Sequence, residues 1–391
     1  MLFVDLTHTS HTRARTGVQR VCREVTAALA RTSDVTPITH DPYLGAWRLL
    51  NPAEQRTLSP AGTDAAAARG ARWPAATRWS GRARRWLRRP APTLPAANGL
   101  VAPEIFSPHV TAALPDLFAR IAGPRVALFH DAIALQLPHL TPPKSVARFP
   151  AYLRELALFD GIAAVSADSH AVLENYWDEQ RITSRPPVTT IPLGLTPHVP
   201  LPPPVTAPTE PVVLCVGTLE GRKNHVALLD AAERLWAEGR IFRLHLVGMA
   251  HPQTGRAALD RVRALQAAGR PLRYDGPVDD AALARAYAAA TFTVYPSLLE
   301  GFGLPVLESL QYGKPCICSA RGALGESARG GGCLALDAVD APALAAAIDR
   351  LLSAPAELTA LVQAAEARVF RSWNDYAADL RAWMADLSPR T

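Results

Sequence analysis

Two glutamates stand at the ends of the stretch EGFGLPVLE, which runs from Glu300 to Glu308 and otherwise holds glycine, proline and apolar residues. The strand-like run FTVYPS precedes it, and Pro305 suits the first turn of a helix, so Gly301 and Gly303 are predicted at a helix N-terminus. The N–H groups and the dipole there attract an anion, whereas carboxylates accept hydrogen bonds from paired hydroxyls. The pattern predicts a ligand with phosphate in one part and hydroxyls in another, as in a nucleotide sugar.

Basic residues and a histidine follow two other predicted strands. Arg222 and Lys223 come directly after the strand-like run VVLCVG and before a helix, where they can neutralise a diphosphate. His130 ends the run RVALFHD and can hydrogen-bond a sugar or its departing proton. Either cation alone is more often a solvated surface charge, and a lone histidine is more often structural. The carboxyl ends of parallel strands share one edge, so these side chains are predicted in one cleft.

Strand-like and helix-like segments alternate along both halves of the chain. LFVDL, RVALFHD, GIAAVS and VTTIPLG are predicted strands of the first half, and VVLCVG, FRLHLVG, LRYDG and FTVYPS of the second. Such alternation with short connections predicts mostly parallel sheets covered by helices. The predicted fold class is α/β, with two doubly wound Rossmann-like domains that face each other across a cleft.

The boundary between the two domains is predicted from proline content. Ten prolines lie between Pro186 and Pro211, and they can continue neither a helix nor a central strand. The predicted parts are a domain over 1–195 with a basic, tryptophan-containing insertion near 45–100, a second domain over 196–370, and an amphipathic C-terminal helix within 371–391.

Composition narrows the class of protein. The 391 residues begin without a basic leader, and no later stretch reaches about 18 uncharged apolar residues, so a cytosolic protein without a spanning helix is expected. The five cysteines are odd in number and lie mostly in apolar runs, which predicts buried free thiols rather than a disulfide framework. CICS lacks the second half of a zinc site, so no metal is expected there.

The net charge of +6 has an uneven distribution. Between Arg69 and Arg89, arginines recur with Trp73, Trp79 and Trp86, and no acidic residue interrupts them. Arginine with interfacial tryptophan predicts a peripheral anchor on an anionic membrane surface. The alternative is a disordered basic loop whose tryptophans pack against a neighbouring domain. Nucleic acid is not an expected partner, because no zinc finger or aromatic ribonucleoprotein motif accompanies the charge.

Three stretches of the second half, VGTLEGRKNHVALLDA, GPVDD and YPSLLEGFGLPVLESLQYGKPCICS, resemble the glycosyltransferases of family 4. The resemblance is strong over about residues 210–330 and weaker in the first half, where TGVQRV, FHD, VSADS and IPLG carry it. It implies the GT-B architecture, with acceptor binding in the first domain and nucleotide-sugar binding in the second. It also implies sugar transfer with retention at the anomeric carbon, without a metal ion or other cofactor. The C-terminal SWNDYAADL resembles the family's closing helix, which crosses back onto the first domain.

The resemblance assigns roles to the residues of the EGFGLPVLE stretch. Glu300 would contact the donor sugar, with the backbone of Gly301, Phe302 and Gly303 beside it. Glu308 would hold the ribose of the nucleotide.

The same resemblance assigns roles at the other strand ends. Arg222 and Lys223 would bind the diphosphate, and His130 would lie at the sugar, while the donor's own phosphate helps to deprotonate the acceptor. Many members have a basic residue where this chain has Thr218, so Arg222 is expected to take over that role. Many also have two glycines in the first loop, and here TGVQRV offers only Gly17 as a donor-binding residue. The predicted catalytic residues are His130, Lys223 and Glu300.

These features predict a bacterial enzyme of surface-polysaccharide synthesis, either lipopolysaccharide or capsule. It would transfer a hexose or deoxyhexose to a saccharide acceptor, lipid-linked, at the inner face of the cytoplasmic membrane. A GDP-hexose donor is slightly favoured over a UDP-hexose, because loops like TGVQRV look like those of mannosyl and deoxyhexosyl transferases. The basic segment and the helix after Gly17 would supply the membrane contact.

Two alternatives belong to other classes. A nucleotide-sugar epimerase would need a further acid or base in the cleft, which the sequence does not reveal. A non-catalytic nucleotide-sugar-binding partner or scaffold of a membrane-associated glycan assembly complex would be favoured by loss of Lys223, His130 or either glutamate. All four residues are present.

Overall fold

The computed structural model describes residues 1–14, 16–59, 64, 70–87, 93–197 and 210–390. The chain divides into two compact units: unit 1 contains Met1–His130, Pro150–Gly194 and Ser372–Thr391, and unit 2 contains Asp131–Phe149 and Leu195–Arg371. Residues 131–149, which were predicted in the first domain, belong to unit 2. There Leu140 packs so closely on Gly221 that a Cβ at Gly221 would lie 2.9 Å from Leu140 Cδ2. Residues 198–209 of the predicted proline-rich boundary lie outside the described residues.

Unit 1 is built on a sheet with the strand order β3-β2-β1-β4-β5-β6-β7. Neighbouring strands are parallel except β2 and β3, which are antiparallel. The predicted strands β1, β5, β6 and β7 are confirmed, while β2, which contains a proline, and the three-residue β4 gave no clear signal. The strands are β1 (Leu2–Asp5), β2 (Val35–Asp41), β3 (Ala46–Leu49), β4 (Leu100–Ala102), β5 (Arg125–Phe129), β6 (Gly161–Ala164) and β7 (Val188–Thr190).

Helices connect these strands, and the chain's last helix also belongs to unit 1. The helix after Gly17 is confirmed, and its apolar residues are buried within the unit, so its apolar face is not available to a membrane. The helices before the second unit's sheet are α1 (Gly17–Ala30), α2 (Pro52–Leu58), α3 (Ala75–Trp86), α4 (Pro108–Phe118), α5 (Ile133–Gln136), α6 (Pro143–Glu155) and α7 (Ala167–Glu179).

Unit 2 is built on an entirely parallel sheet with the strand order β10-β9-β8-β11-β12-β13. Chain order reverses between β8 and β11, which are neighbours in the sheet although two other strands separate them along the chain. The predicted alternation of strands and helices is confirmed here. The strands are β8 (Val212–Val216), β9 (Arg243–Val247), β10 (Leu272–Tyr274), β11 (Phe292–Tyr295), β12 (Cys316–Ser319) and β13 (Cys333–Leu336).

The helices of unit 2 cover this sheet and bury clusters of apolar residues against it, the largest of which includes Leu228, Leu244 and Ile348. Asp279 caps one of these helices by accepting a hydrogen bond from Ala282 N at 2.7 Å. The helices are α8 (His225–Ala237), α9 (Arg256–Ala267), α10 (Asp280–Ala289), α11 (Leu304–Gln311), α12 (Gly322–Ala328), α13 (Ala341–Ser353) and α14 (Pro355–Glu366). The chain then returns to unit 1 as α15 (Trp373–Asp386), whose side chains pack against α1 and over Gly161.

Two further expectations can be compared with the structure. The five cysteines are free thiols, as predicted, with Cys333 half-buried and the others buried. Within the part of the chain that the structure describes, no helix is both long enough and apolar enough to cross a membrane.

The end of β8 is fixed by an unusually close backbone contact with the end of β9. Gly248 has a φ of 145°, and a Cβ on it would lie 2.0 Å from the carbonyl oxygen of Gly217. Gly217 in turn donates its N–H to Val247 O at 2.9 Å. A side chain at position 248 would therefore displace the loop that follows β8.

We expect Gly248→Ala to lower the unfolding free energy of unit 2 by about 3 kcal/mol. Positive φ costs alanine about 1 to 2 kcal/mol, and overlap with a backbone oxygen adds to that cost. Gly239→Ala is the matched control, because Gly239 has a φ of 84° with nothing within 4 Å of an added Cβ. Urea unfolding followed by tryptophan fluorescence measures both, and equal losses in the two variants would contradict the steric explanation.

Candidate active site

The candidate site lies at the carboxyl ends of β8 and β11. In open α/β sheets, ligands bind at the carboxyl ends of the strands, at the point where the strand order reverses. In unit 2 this point lies between β8 and β11. The loops after these strands are joined directly, because Leu298 N donates to Arg222 O at 2.8 Å. The sheet thus brings together two loops that are far apart in sequence.

The loop after β8 presents the two predicted cations. A 3-10 turn spans Gly221–Lys223, and Asn224 follows in the left-handed conformation with φ of 57°. The Asn224 side chain donates to Val339 O at 2.7 Å, which anchors the turn immediately before α8 begins. Arg222 and Lys223 are therefore held on an ordered turn.

The loop after β11 presents Glu300, and it ends where α11 begins. Gly303 precedes α11 with a φ of 100°, and a Cβ on it would lie 3.0 Å from Ser327 Oγ, so glycine is needed there. Ser327 Oγ also donates to Phe302 O at 2.6 Å. The predicted helix N-terminus after Gly301 and Gly303 is confirmed, and Pro305 lies in its first turn.

Arg222, Lys223 and Glu300 meet in one ion cluster, together with Glu220. Glu300 Oε1 lies 2.7 Å from Arg222 Nη1 and 2.5 Å from Lys223 Nζ. Arg222 Nη2 lies 2.8 Å from Glu220 Oε1. With two cations and two carboxylates, the charges of this ion cluster cancel.

Two side chains from the end of β11 complete the contacts of Glu300. Tyr295 OH donates to Glu300 Oε1 at 3.0 Å, and Ser297 Oγ donates to the same oxygen. Lys223 Nζ also contacts Tyr295 OH. All these donors reach Oε1, and Oε2 accepts no hydrogen bond from any residue that the structure describes. Glu300 is thus oriented through one of its two carboxylate oxygens.

The charges of the cluster follow from burial and from its ion pairs. Burial alone would raise the pKa of Glu300, but Arg222 and Lys223 lower it to about 2, so the carboxylate is ionised at neutral pH. Burial lowers the pKa of Lys223, although Glu300 opposes that change. Burial, with Lys223 nearby, lowers the pKa of His225 to about 3, so that imidazole is neutral and adds no charge.

The other predicted residues of unit 2 lie on the same loop and helix. Gly301 and Phe302 are half-buried between Glu300 and α11, and Glu308 is half-buried on α11 itself. Sequence reasoning missed Glu220, Tyr295 and Ser297. Their only signal was position, since Glu220 precedes Arg222 by two residues and the other two end the predicted strand FTVYPS.

His130 and Gly17 lie in unit 1, so each is described within that unit. His130 is buried directly after β5, and its Nε2 lies 2.7 Å from Pro103 O. A carbonyl can only accept, so Nε2 carries a proton. Gly17 is the exposed first residue of α1.

Unit 1 also contains two buried carboxylates that the sequence analysis did not single out. Asp5 ends β1 and accepts from Thr7 N at 3.0 Å, while Glu104 follows β4 and accepts from Thr9 N at 2.6 Å. Burial, reinforced by Glu104, raises the pKa of Asp5 to about 7. These carboxylates order the loop between β1 and α1. Across the described residues, no three His, Cys, Asp or Glu side chains are grouped as metal ligands.

Parts of the chain are similar to known proteins. Residues 210–354 match the family model described as "Glycosyl transferases group 1". This part of the chain is similar to the glycosyl transferases of group 1. The resemblance inferred from the motifs of this region is therefore confirmed for residues 210–354.

The curated relatives match the chain over part of their own length. O-antigen chain mannosyltransferase B of Escherichia coli is 40% identical over 106 residues, which are 27% of this chain and 28% of that protein. D-inositol 3-phosphate glycosyltransferase of Acidothermus cellulolyticus is 36% identical over 169 residues, 41% of this chain and 37% of that protein. The chain thus covers well under two thirds of these relatives.

Solved structures extend the likeness to both units. Sucrose-phosphate synthase from Thermosynechococcus elongatus has a TM-score of 0.67 at 20% identity and covers 98% of each chain. WaaG, a glycosyltransferase involved in lipopolysaccharide biosynthesis, has a TM-score of 0.60 at 16% identity and covers 97% of this chain and 99% of its own. At these identities the likeness shows the fold, and the predicted class of two Rossmann-like domains, GT-B, is confirmed.

The ionisation of Glu300 predicts how acid affects the stability of unit 2. Because its pKa falls from 4.5 to about 2 on folding, the ion cluster's contribution to stability is complete above about pH 5 and is lost as pH falls toward 2. We expect the difference in unfolding free energy between the wild type and Glu300→Gln to shrink over that range. Urea unfolding at steps of pH measures it.

The control for this measurement is Glu238→Gln, which removes an exposed carboxylate paired with Arg234 on α8. Its effect on stability should be small at every pH. A difference between the wild type and Glu300→Gln that stays constant from pH 6 to pH 2 would contradict the assignment of the ion cluster.

Proposed function

We propose that the chain is a retaining glycosyltransferase that moves a hexose or deoxyhexose from a nucleotide sugar to a saccharide acceptor. The observation that carries the proposal is the orientation of Glu300, whose Oε1 is held by Arg222 and Lys223 while Oε2 is left for a ligand hydroxyl. This geometry lies at the strand ends of the part of the chain that is similar to the glycosyl transferases of group 1. The curated relatives include enzymes named as mannosyltransferases and as glycosyltransferases.

The donor's parts are assigned to the site by charge. Arg222 and Lys223 bind the diphosphate, with the N-terminus of α11 as a further attraction for its negative charge. Glu300 accepts hydrogen bonds from the donor sugar, beside the backbone of residues 301–303, and Glu308 holds the ribose. From unit 1, Gly17 allows close approach of the first loop to the donor, and His130 hydrogen-bonds the transferred sugar.

The proposed reaction exchanges one bond at the anomeric carbon for another on the same face of the sugar. The bond from that carbon to the phosphate oxygen breaks, and its electron pair stays with the diphosphate. The acceptor hydroxyl oxygen forms the new bond, and its proton passes to the leaving phosphate oxygen. Arg222 and Lys223 stabilise the charge that develops there, because preformed cations beside a leaving group lower the barrier. This chemistry needs no metal ion or other cofactor.

The donor and acceptor are proposed from the relatives. We propose a GDP-hexose donor and a surface-polysaccharide acceptor, lipid-linked at the inner face of the cytoplasmic membrane, because two Escherichia coli relatives are named as an O-antigen chain mannosyltransferase and a serotype-specific mannosyltransferase. One solved structure of similar fold, from Anabaena, is a complex with UDP and glucose, so a UDP-hexose stays the second donor to test.

Helix α3 supports a contact with an anionic membrane surface. Trp79 and Trp86 are seven residues apart, so they share one face of the helix, and they are 71% and 83% exposed. Gly81, about 200° round the helix from Trp79, is the one residue of α3 that is buried, and a Cβ on it would lie 3.0 Å from Leu44 N. The helix thus docks through a glycine and turns its tryptophans to solvent.

The charge of α3 complements an anionic surface. The helix has no acidic residue, and its arginines are Arg78, Arg82, Arg84 and Arg85. The alternative, in which the tryptophans pack internally, holds for Trp73, which stacks on His11 with 3.5 Å between ring centroids. Arg69, Arg88 and Arg89 of the predicted segment lie outside the described residues.

The first experiment is a thermal-shift panel of GDP, UDP, ADP and TDP with their common sugars, with and without EDTA. A ligand that binds the folded state at a hundred times its dissociation constant adds about 2.7 kcal/mol of stability, so one base should stand out, unaffected by EDTA. Glu300→Ala should keep the shift by the nucleoside diphosphate and lose sugar transfer. A wild type that no nucleotide stabilises would refute the proposed function.

The membrane contact is tested by replacing Arg78, Arg84 and Arg85 with glutamine. Each basic residue near an anionic bilayer contributes about 1 kcal/mol, so the triple variant should bind phosphatidylglycerol-containing vesicles about a hundredfold more weakly. Cosedimentation measures the binding. Hydrolysis of the soluble donor should not change.

The matched control removes the same charge from unit 2, through Arg256→Gln, Arg263→Gln and Arg285→Gln at exposed positions. Vesicle binding that falls equally in both triple variants would show that net charge, rather than α3, attracts the protein. Unchanged binding in the α3 variant would refute this anchor.

A further inference from the structure

Glu220 contacts one terminal nitrogen of Arg222, and Glu300 contacts the other. Arg222 Nη1 lies 2.7 Å from Glu300 Oε1 and donates to Leu299 O at 3.2 Å. Arg222 Nη2 lies 2.8 Å from Glu220 Oε1. Among the described residues, nothing accepts a hydrogen bond from Nε.

The Nε–Nη2 edge of the Arg222 guanidinium is of the kind that binds an oxyanion. A guanidinium binds phosphate best through two parallel N–H groups, and Nε with Nη2 supplies such a pair. The Arg222 side chain is 22% exposed, and that of Glu220 is 13% exposed, so both are partly shielded from water. A guanidinium that is fixed before the ligand arrives loses less freedom on binding.

We propose that Glu220 is a positioning residue, which fixes the Arg222 guanidinium so that its Nε and Nη2 hydrogens meet the donor diphosphate. This inference rests on the proposed function. Glu220 acts through Arg222 and does not touch the ligand.

Substitutions of Glu220 can distinguish orientation of the Arg222 guanidinium from direct electrostatic attraction of the diphosphate. A carboxylate beside a diphosphate repels it, so Glu220 contributes through the orientation of Arg222 and not through its own charge. Glutamine keeps an oxygen that accepts from Nη2 but removes the negative charge, whereas alanine removes both. Positioning therefore predicts different results for the two substitutions.

The test measures the dissociation constant for the nucleoside diphosphate selected by the thermal-shift panel. We expect Glu220→Ala to weaken binding about tenfold, which corresponds to the loss of one hydrogen bond to a charged group. The dissociation constant of Glu220→Gln should lie within about threefold of the wild-type value. Glu238→Ala, which breaks the exposed pair with Arg234, is the matched control and should bind like the wild type. Glu220→Ala that binds as tightly as the wild type, or more tightly, would overturn the proposal.

A double-mutant cycle asks whether Glu220 acts through the guanidinium. Lysine at position 222 has no planar fork to orient, so Glu220→Ala should have no further effect on binding in the Arg222→Lys background. A tenfold loss that persists in that background would overturn the proposal, because Glu220 would then act through the fold of the loop.

A readout on the ligand-free protein distinguishes this inference from the proposed function. The rotation of the Arg222 guanidinium, followed by NMR of its 15Nε, should be slow in the wild type and in Glu220→Gln and faster in Glu220→Ala. Equal rotation in all three would overturn the positioning role even where nucleotide binds. If the wild type bound no nucleotide, the proposed function would fail. Slow rotation in the wild type with faster rotation in Glu220→Ala would then still show that Glu220 holds Arg222.

Discussion

The ion pairs on Glu300 Oε1 are the constraint on which the site depends. Two cations from the loop after β8 reach one oxygen of a side chain from the loop after β11. Loss of one partner from such a buried group leaves a charge without compensation, which costs about 3 to 5 kcal/mol. The pairs form because β11 lies beside β8, with Phe292 opposite Val213. The strand order of unit 2 therefore decides whether the site exists.

Strand ends made much of this site predictable from sequence. Apolar runs marked β8 and β11, and the charged residues that follow them were assigned to one cleft because parallel strands end at one edge. The contacts within the cleft were not predictable in the same way. Whether Tyr295 and Ser297 turn toward Glu300 depends on side-chain conformations, and whether Leu140 packs on Gly221 depends on contacts between distant segments. Neither leaves a periodic signal.

The basic segment, residues 69–89, was likewise only partly predictable from sequence. Its arginines and tryptophans predicted an amphipathic surface, but composition does not say which face is buried. The structure buries Gly81, the smallest residue of α3, and this leaves Trp79 and Trp86 exposed. Glycine carries no hydrophobic signal, so a periodicity argument would have placed the tryptophans inside. The helix after Gly17 gave the opposite result, because its apolar residues form part of the core of unit 1.

The electrical neutrality of the ion cluster limits how a donor can bind. Glu220 and Glu300 cancel the charges of Arg222 and Lys223, so the cluster exerts little net attraction on a doubly charged diphosphate at a distance. Binding must instead draw on short-range hydrogen bonds, on the dipole of α11 and on contacts with the sugar and the base. Under the proposed function, affinity for the diphosphate alone is then modest, and most discrimination between donors falls to the groups at its two ends. A site of this kind would select a nucleotide sugar over the many other polyphosphates of a cell, because charge alone is not enough to occupy it.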